Sequence, residues 1–477
     1  MAKVVILGID GFDPVLLKKW KSILPNLNSI IDDNPSISAD STIPPDSICA
    51  WTSIFTGENP AEHGLIESID YLSGRKGMDS SDKVTAFKGK TFWDAASKKG
   101  KKACVINPFL AYPAWKLNGM MVSGPVFEGG ELSAYPEDVL SKYEFPPLGG
   151  IVDFPDERDL GKFVSSTTKT TQQLADVSLK IFKEQSSDLF FVTFLTLDRI
   201  KHFLWRYTDK ADPYYKRGNA FENVIRDFYI LFDNIIGKFK KLLDKDSVLI
   251  IISDHGHRRR CVYNLNLNEL LRNKGYLVTR GRGAKRVLKR LIEKTKVFVI
   301  STLSKLDFQD YIYKIAKLVP NHKALKKSTY LVEREKSSAI LSELCGANPH
   351  GGIDIKAQTG EEYEQIRDNI INELKSLDET LNENVVKWAK KREQIYRGEF
   401  EDRLPDVMFE LDEKYGVGMD LFTPLVTPNH THKKISGGHK NEGVFLVYSE
   451  NKNVSAIKRP DSVIGVKNYI LGIMGIL

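Results

Sequence analysis

Five strand-like apolar runs constrain what this chain can fold into more than anything else in it: Lys3–Gly8 (KVVILG), Ala103–Ile106, Leu189–Leu195, Val248–Ile252 and Val444–Tyr448. None shows the strict apolar/polar alternation of a strand with one wet face, so each is expected to be buried on both sides. Between them lie helical patterns, notably Val15–Ile31, Thr168–Glu184 and Phe221–Leu243. Continuously apolar strands alternating with helices predict an α/β protein whose mainly parallel sheet is sandwiched by helices. In such sheets ligands bind beyond the carboxyl ends of the strands.

The chemistry-bearing residues fall where that rule puts them. Asp10, Asp198 and Asp254 each stand one to three residues past an apolar run. Asp198 and His202, in TLDRIKHF, have the i, i+4 spacing that shares one helix face, although surface helices contain many such pairs. Asp254 and His255 end the run IIISDHGH, where ionisable groups are costly to place without partners; a satisfied structural Asp–His pair is the plainer alternative. His439 sits in SGGHKNEG, whose glycines permit close backbone approach, and taken alone is a loop histidine. Ser47, in PPDSICAWTSIFTG, follows two prolines and can open a helix, where backbone N–H groups and the helix dipole favour a phosphoryl anion. It also reads as a simple N-cap serine. Carboxylates and imidazoles converging from separate strand ends, with one hydroxyl among them, are what a two-metal hydrolytic site needs.

Taken in order, GIDGFDP, DSICAWTSIFTG, NPAEHG, TLDRIKHF, IIISDHGH and SGGHKNEG resemble the signatures of the alkaline phosphatase superfamily, most nearly its type I phosphodiesterase/nucleotide pyrophosphatase branch. The resemblance covers about residues 1–270 and 330–470. It implies an alkaline-phosphatase-like fold and two divalent cations, zinc or in some branches manganese; Asp and His ligands without Cys suit either. By position, Asp198, His202 and His439 would hold one cation, and Asp10, Asp254 and His255 the other, with Ser47 bridging toward it. Ser47 would be the nucleophile, giving a phosphoserine that water then cleaves. His63, in the NPxxHG turn, reads as structural. The branch usually has Thr where Ser47 stands, which preserves the chemistry. Its phosphate-binding Asn falls, without gaps, on Ser68. His257 and Arg258, next to the metal-type ligands, are further candidates for a substrate phosphate. The expected activity is that of a phosphodiesterase or nucleotide pyrophosphatase on a small phosphorylated substrate, a nucleotide or other phosphodiester. The alternatives are a phosphomonoesterase, a phosphoglycerate-mutase-like phosphotransferase, or a non-catalytic binding protein on this fold. The mutases insert a large domain soon after the nucleophile, which this chain does not.

Charge separates one segment from the rest. Between Arg280 and Lys327 there are 14 Lys/Arg against 3 Asp/Glu, a local net of +11 in a chain of net +7, so the remainder is net −4. This stretch, with amphipathic spacing in VLKRLIEKTKVFVISTLSKL, is expected to form an inserted helical cap. The chain would then divide into a first part of the core (1–275), the basic insert (276–327) and a second part (328–477) carrying His439. A polyanion or an anionic membrane surface is the partner such an insert would attract. The charged stretch Glu361–Gly398 reads as a long helix or helix pair, and the last residues as a terminal helix. Four cysteines without a CxxC pair, no cleavable leader pattern and no bilayer-length apolar run point to a cytoplasmic protein. Oligomeric state is not legible.

Overall fold

The computed structural model describes residues 4–34, 36–66, 84, 86–125, 130–149, 154–280, 295, 302, 328–342, 348–356, 360–451 and 457–476. The chain forms two compact units, one from 1–258 with 439–477 and one from 259–438.

The first unit is built on an eight-stranded sheet. Its strands are β1 (Val4–Ile9), β2 (Ser38–Asp40), β3 (Ala103–Ile106), β4 (Gly119–Ser123), β5 (Ser133–Tyr135), β6 (Leu189–Phe194), β7 (Val248–Ile252) and a last strand, Glu442–Ser449. The spatial order is β2, Glu442–Ser449, β7, β1, β6, β3, β4, β5. The five central strands β7, β1, β6, β3 and β4 run parallel, with β1 in register Val4↔Leu189 and Ile9↔Phe194 on one side and Val4↔Val248 on the other. The flanking strands are antiparallel. Every residue of β1, β3, β6 and β7 is buried, as two-sided coverage by helices requires.

On one face the helix Ser47–Thr56 lies wholly buried, its Trp51 and Phe55 packed among Phe92, Trp93 and Phe191. Gly8 of β1 makes this possible: a Cβ there would meet Trp51 Cη2 at 2.8 Å. The helices Leu160–Glu184, Thr196–Thr208 and Val224–Lys240 also belong to this unit; the last has a buried face of period 3.6, whereas Thr196 to Leu204 is buried on every side.

The expected single helix Val15–Ile31 is broken. It runs as Pro14–Trp20, a 3₁₀ turn Lys21–Ile23, and Pro25–Asp32. Pro25 is responsible, since the residue before a proline is driven from the helical region, and Leu24 sits at φ −119°, ψ 72°.

The second unit holds a four-stranded antiparallel sheet in the order Ala339–Leu341, His350–Ile355, Val407–Leu411, Val386–Lys391. A three-stranded sheet joins Tyr415–Gly418, Tyr263–Asn266 and Val426–Pro428. Helix Glu361–Lys375 contributes Ile370 and Leu374 to its apolar core. The all-helical expectation for Glu361–Gly398 is corrected here. Helix ends at Leu381, Asn382 turns left-handed at φ 53°, and Val386–Lys391 pairs as a strand with Val407–Leu411. Within this charged stretch Val386 and Trp388 are strand residues fixed by cross-strand pairing with Leu411 and Glu410.

Tyr263–Asn266 pairs with strands beyond 410, and the compact units meet in the sequence at Arg258/Arg259 and Gly438/His439. The expected cap over 276–327 falls outside the described residues, apart from 276–280, 295 and 302.

Candidate functional site

The carboxyl ends of β1, β6 and β7 bring the three aspartates together. Asp10 extends β1 by donating its N–H to Phe194 O at 2.9 Å. Gly11 then turns at φ +69° and donates its N–H to Asp254 Oδ1 at 3.2 Å. Ser253 ties the two loops again: its Oγ accepts from Phe12 N at 2.8 Å and donates to His255 O at 2.7 Å. Asp198 opens the helix that follows β6, and the i, i+4 spacing brings His202 Nε2 to 3.2 Å from Asp198 Oδ2.

Two imidazoles are held by backbone carbonyls. His255 Nδ1 lies 2.9 Å from Gly256 O, and His439 Nδ1 lies 2.8 Å from Pro45 O. A carbonyl can only accept, so both rings carry a proton on Nδ1 and turn Nε2 into the site. His255 Nε2 is 3.1 Å from Ser47 Oγ, 3.2 Å from Asp254 Oδ2 and 3.7 Å from Asp10 Oδ1. His439 Nε2 is 2.9 Å from His202 Nε2 and 3.6 Å from Asp198 Oδ1, and its ring stacks on His255 at 3.8 Å.

Ser47 is the first residue of its helix. Asp46 caps it, accepting from Ile48 N at 3.0 Å, and Ser47 is buried. The helix is pinned further along, where Ser53 Oγ meets His63 Nε2 at 3.1 Å while His63 Nδ1 accepts from Leu65 N. That is the structural place read for His63 in its turn.

Three carboxylate oxygens, Asp10 Oδ1, Asp198 Oδ1 and Asp254 Oδ2, are buried with no hydrogen bond. Burial, then the Asp254 and Asp198 carboxylates, push the Asp10 carboxyl well up; burial likewise raises Asp254. Burial works the same way on Asp198, but His202, His257 and His439 outweigh it and hold this carboxyl well below the usual range. Burial drives the His257 and His439 imidazoles down, toward the neutral ligand form. Clustered, desolvated carboxylates facing neutral imidazole nitrogens form a donor set that fits divalent cations. Three overlapping groups have ligand atoms within 4.8 Å of one another: Asp198, His202 and His439; Asp10, Asp254 and His255; and Asp198, His255 and His257.

All seven metal-type and nucleophilic residues read from the sequence therefore come together in the first unit. His257, read as a contact for substrate phosphate, is buried inside the cluster. Its Nδ1 lies 3.3 Å from Asp198 Oδ1, close enough for attraction but not aligned for a hydrogen bond. Arg258 is half-buried, and Ser68 lies outside the described residues. Sequence reasoning missed Trp51, whose Nε1 donates to Asp10 Oδ2 at 3.1 Å, and Lys201, fully buried and placed between Asp198 and His202 in the sequence of its helix. Trp51 stood in a quoted signature. Nothing local marked Lys201 except its position inside DRIKH.

A mostly parallel sheet with helices on both faces and acid–imidazole side chains clustered at its strand ends defines an alkaline-phosphatase-like α/β protein. The chain belongs to the type I phosphodiesterase/nucleotide pyrophosphatase family, which it matches over residues 4–432, and so to a family of phosphoester hydrolases. Among solved structures it is similar to phosphonoacetate hydrolase from Sinorhizobium meliloti 1021 in complex with phosphonoformate, with a TM-score of 0.56 at 14% identity, covering 100% of this chain and 96% of that one. The same hydrolase in complex with phosphonoacetate gives 0.52 at 14% identity over the same shares. At that identity the likeness speaks to the fold. No curated protein proved similar in sequence. No described helix is long and apolar enough to cross a membrane.

Proposed function

We propose that this protein is a two-metal-dependent phosphodiesterase or nucleotide pyrophosphatase that works through a covalent phosphoserine at Ser47. The observation that carries the reading is Ser47 Oγ at the start of a buried helix, 3.1 Å from an imidazole nitrogen of the acid–imidazole cluster. Asp198, His202 and His439 would hold one cation, and Asp10, Asp254 and His255 the other. Zinc suits these nitrogen and oxygen donors, as does manganese. When bound, two such cations supply the positive charge that stabilises the non-bridging phosphoryl oxygens and favours the alkoxide of Ser47.

The chain's own residues do the rest. Ser47 Oγ forms the new O–P bond as the bond to the ester or nucleotide oxygen in line with it breaks, and the proton lost by Ser47 balances the one taken up by that departing oxygen. The helix N-terminus it stands on favours the negative phosphoryl group. Trp51 and the Gly11 N–H hold Asp10 and Asp254 in place by hydrogen bonds. Water then cleaves the phosphoserine ester, releasing a phosphomonoester and regenerating the hydroxyl.

His257 and Arg258 stay proposed as aids to substrate phosphate, His257 through Asp198 beside it. Ser68 is proposed for the same role by its place in the sequence. The charge of the 280–327 segment extends the proposal to a polyanionic substrate or an anionic surface. A cytoplasmic setting suits the buried free thiols of Cys49, Cys104 and Cys261.

The test is turnover by protein stripped of metal and reloaded with Zn²⁺ or Mn²⁺, on bis-p-nitrophenyl phosphate against p-nitrophenyl phosphate. Preference for the diester, abolished by chelator and by Ser47→Ala, supports the proposal. Preference for the monoester would replace it with a phosphomonoesterase. No metal-dependent turnover of either would sink it.

A further inference from the structure

We propose that Lys201 and Tyr229 form a positioning clamp that fixes the Asp10–Phe12 turn between the other two carboxylates, and so sets how Asp10, Asp198 and Asp254 are presented to divalent cations. This rests on the reading of those aspartates as cation ligands.

Gly11 is the hub of the site. Its N–H reaches Asp254 Oδ1 at 3.2 Å. A Cβ on it would stand 3.1 Å from Asp198 Oδ1 and 3.3 Å from Asp198 Cα, so its backbone lies directly against the third carboxylate. Its carbonyl accepts from Lys201 Nζ at 2.6 Å. This one residue thus touches all three loops, and the Lys201 side chain holds its carbonyl.

Lys201 has no exposed surface, and a buried ammonium is costly unless every direction finds a partner. Besides Gly11 O it donates to Tyr229 Oη at 2.9 Å and lies 4.9 Å from the centre of that ring. Tyr229 Oη also accepts from Asp13 N at 3.0 Å and sits 3.4 Å from Asp13 O, to which it donates. The Asp13 carboxylate in turn accepts from Leu16 N at 2.9 Å and His257 N at 3.2 Å. A continuous buried network therefore joins the Asp198–His202 helix, the turn after β1 and the loop after β7. Networks of this kind hold geometry only while all their members are satisfied.

The sign of the effect separates positioning from electrostatics. An ammonium this close to a cation site repels the cation through space, so removing it should tighten binding if charge alone mattered. Removing a partner that orients the ligands should weaken it, commonly about 10- to 100-fold.

The experiment titrates metal-stripped full-length protein with Zn²⁺ and with Mn²⁺ by calorimetry, for wild type, Lys201→Met, Tyr229→Phe and the double variant. The Co²⁺-loaded forms report ligand geometry by their visible absorption. The clamp predicts a Kd raised about tenfold or more in Lys201→Met, a smaller rise in Tyr229→Phe, a changed cobalt spectrum, and a double variant little weaker than Lys201→Met alone. An unchanged or lower Kd in Lys201→Met would overturn it. Should that variant not fold by circular dichroism, Tyr229→Phe decides, because it keeps both ring and ammonium; an unchanged Kd there overturns the clamp. Wild type that binds cations but hydrolyses no diester defeats the proposed activity and leaves the clamp to these affinities. Wild type that binds no cation defeats both.

Discussion

His63 should make this protein lose stability on mild acidification, by an amount that can be worked out from its surroundings. Burial, and then the charge of Lys90, push its imidazole down to about 3 from the ordinary 6.5, against a smaller opposing hydrogen bond to the Cys49 backbone. The ring is 2% exposed and is used as a neutral group, accepting from Leu65 N and meeting Ser53 Oγ. In the unfolded chain it takes up a proton below about pH 6.5; in the folded chain it does so only near 3. The unfolded state therefore binds more protons throughout that window, and stability falls as pH falls through it. At about 1.4 kcal/mol per unit, the linkage integrates to about 2 kcal/mol lost between pH 7 and pH 5, and about 4–5 kcal/mol over the whole window.

The assay is urea unfolding of wild type and His63→Gln at pH 7 and pH 5. Gln keeps a donor and an acceptor but does not titrate in this range, and every other group cancels in the comparison. Whatever His63→Gln costs at pH 7, the wild type's advantage should shrink by about 2 kcal/mol at pH 5. Equal pH dependence in the two proteins would refute the reasoning, because His63 would then titrate alike in both states.

Two further outcomes are expected. Chelation should lower the melting temperature, and Zn²⁺ or Mn²⁺ at a thousand times its Kd should restore about 4 kcal/mol; differential scanning fluorimetry reads this, and a melting point indifferent to metal would count against Asp10, Asp198 and Asp254 as ligands. Gly8→Ala should destabilise by about 1–3 kcal/mol, because its Cβ meets Trp51 Cη2 at 2.8 Å with Phe191 and Thr193 at 3.3 Å on either side. It should also weaken cation binding by displacing the indole that holds Asp10, with urea unfolding and tryptophan fluorescence as the measurements; wild-type stability would show that the indole yields freely.

Much of the site was legible because its parts are local. Asp10, Asp198 and Asp254 were found by their places after apolar runs, and those runs are β1, β6 and β7. The i, i+4 pairing of Asp198 with His202 follows from helix geometry alone. The break at Pro25 was equally local and was passed over. By contrast, Val386–Lys391 is a strand only because Val407–Leu411 lies beside it. Tyr263–Asn266 joins the second unit through partners some 150 residues later in the chain, so no local pattern marked the boundary at Arg258.

The sequence by itself determined the buried parallel strands, the residues that stand at their carboxyl ends and the family to which the chain belongs, since burial pattern and motif order are written along the chain. The tertiary structure alone decided which atoms face one another. It turned the His255 and His439 Nε2 atoms inward by giving each Nδ1 a carbonyl. It placed His257 against Asp198, and it buried Lys201 between Gly11 and Tyr229. Apart from the adjacent pair His255 and Gly256, those relations join residues from 28 to 394 positions apart, and only the packing of strands and helices in space can bring such partners within hydrogen-bonding distance.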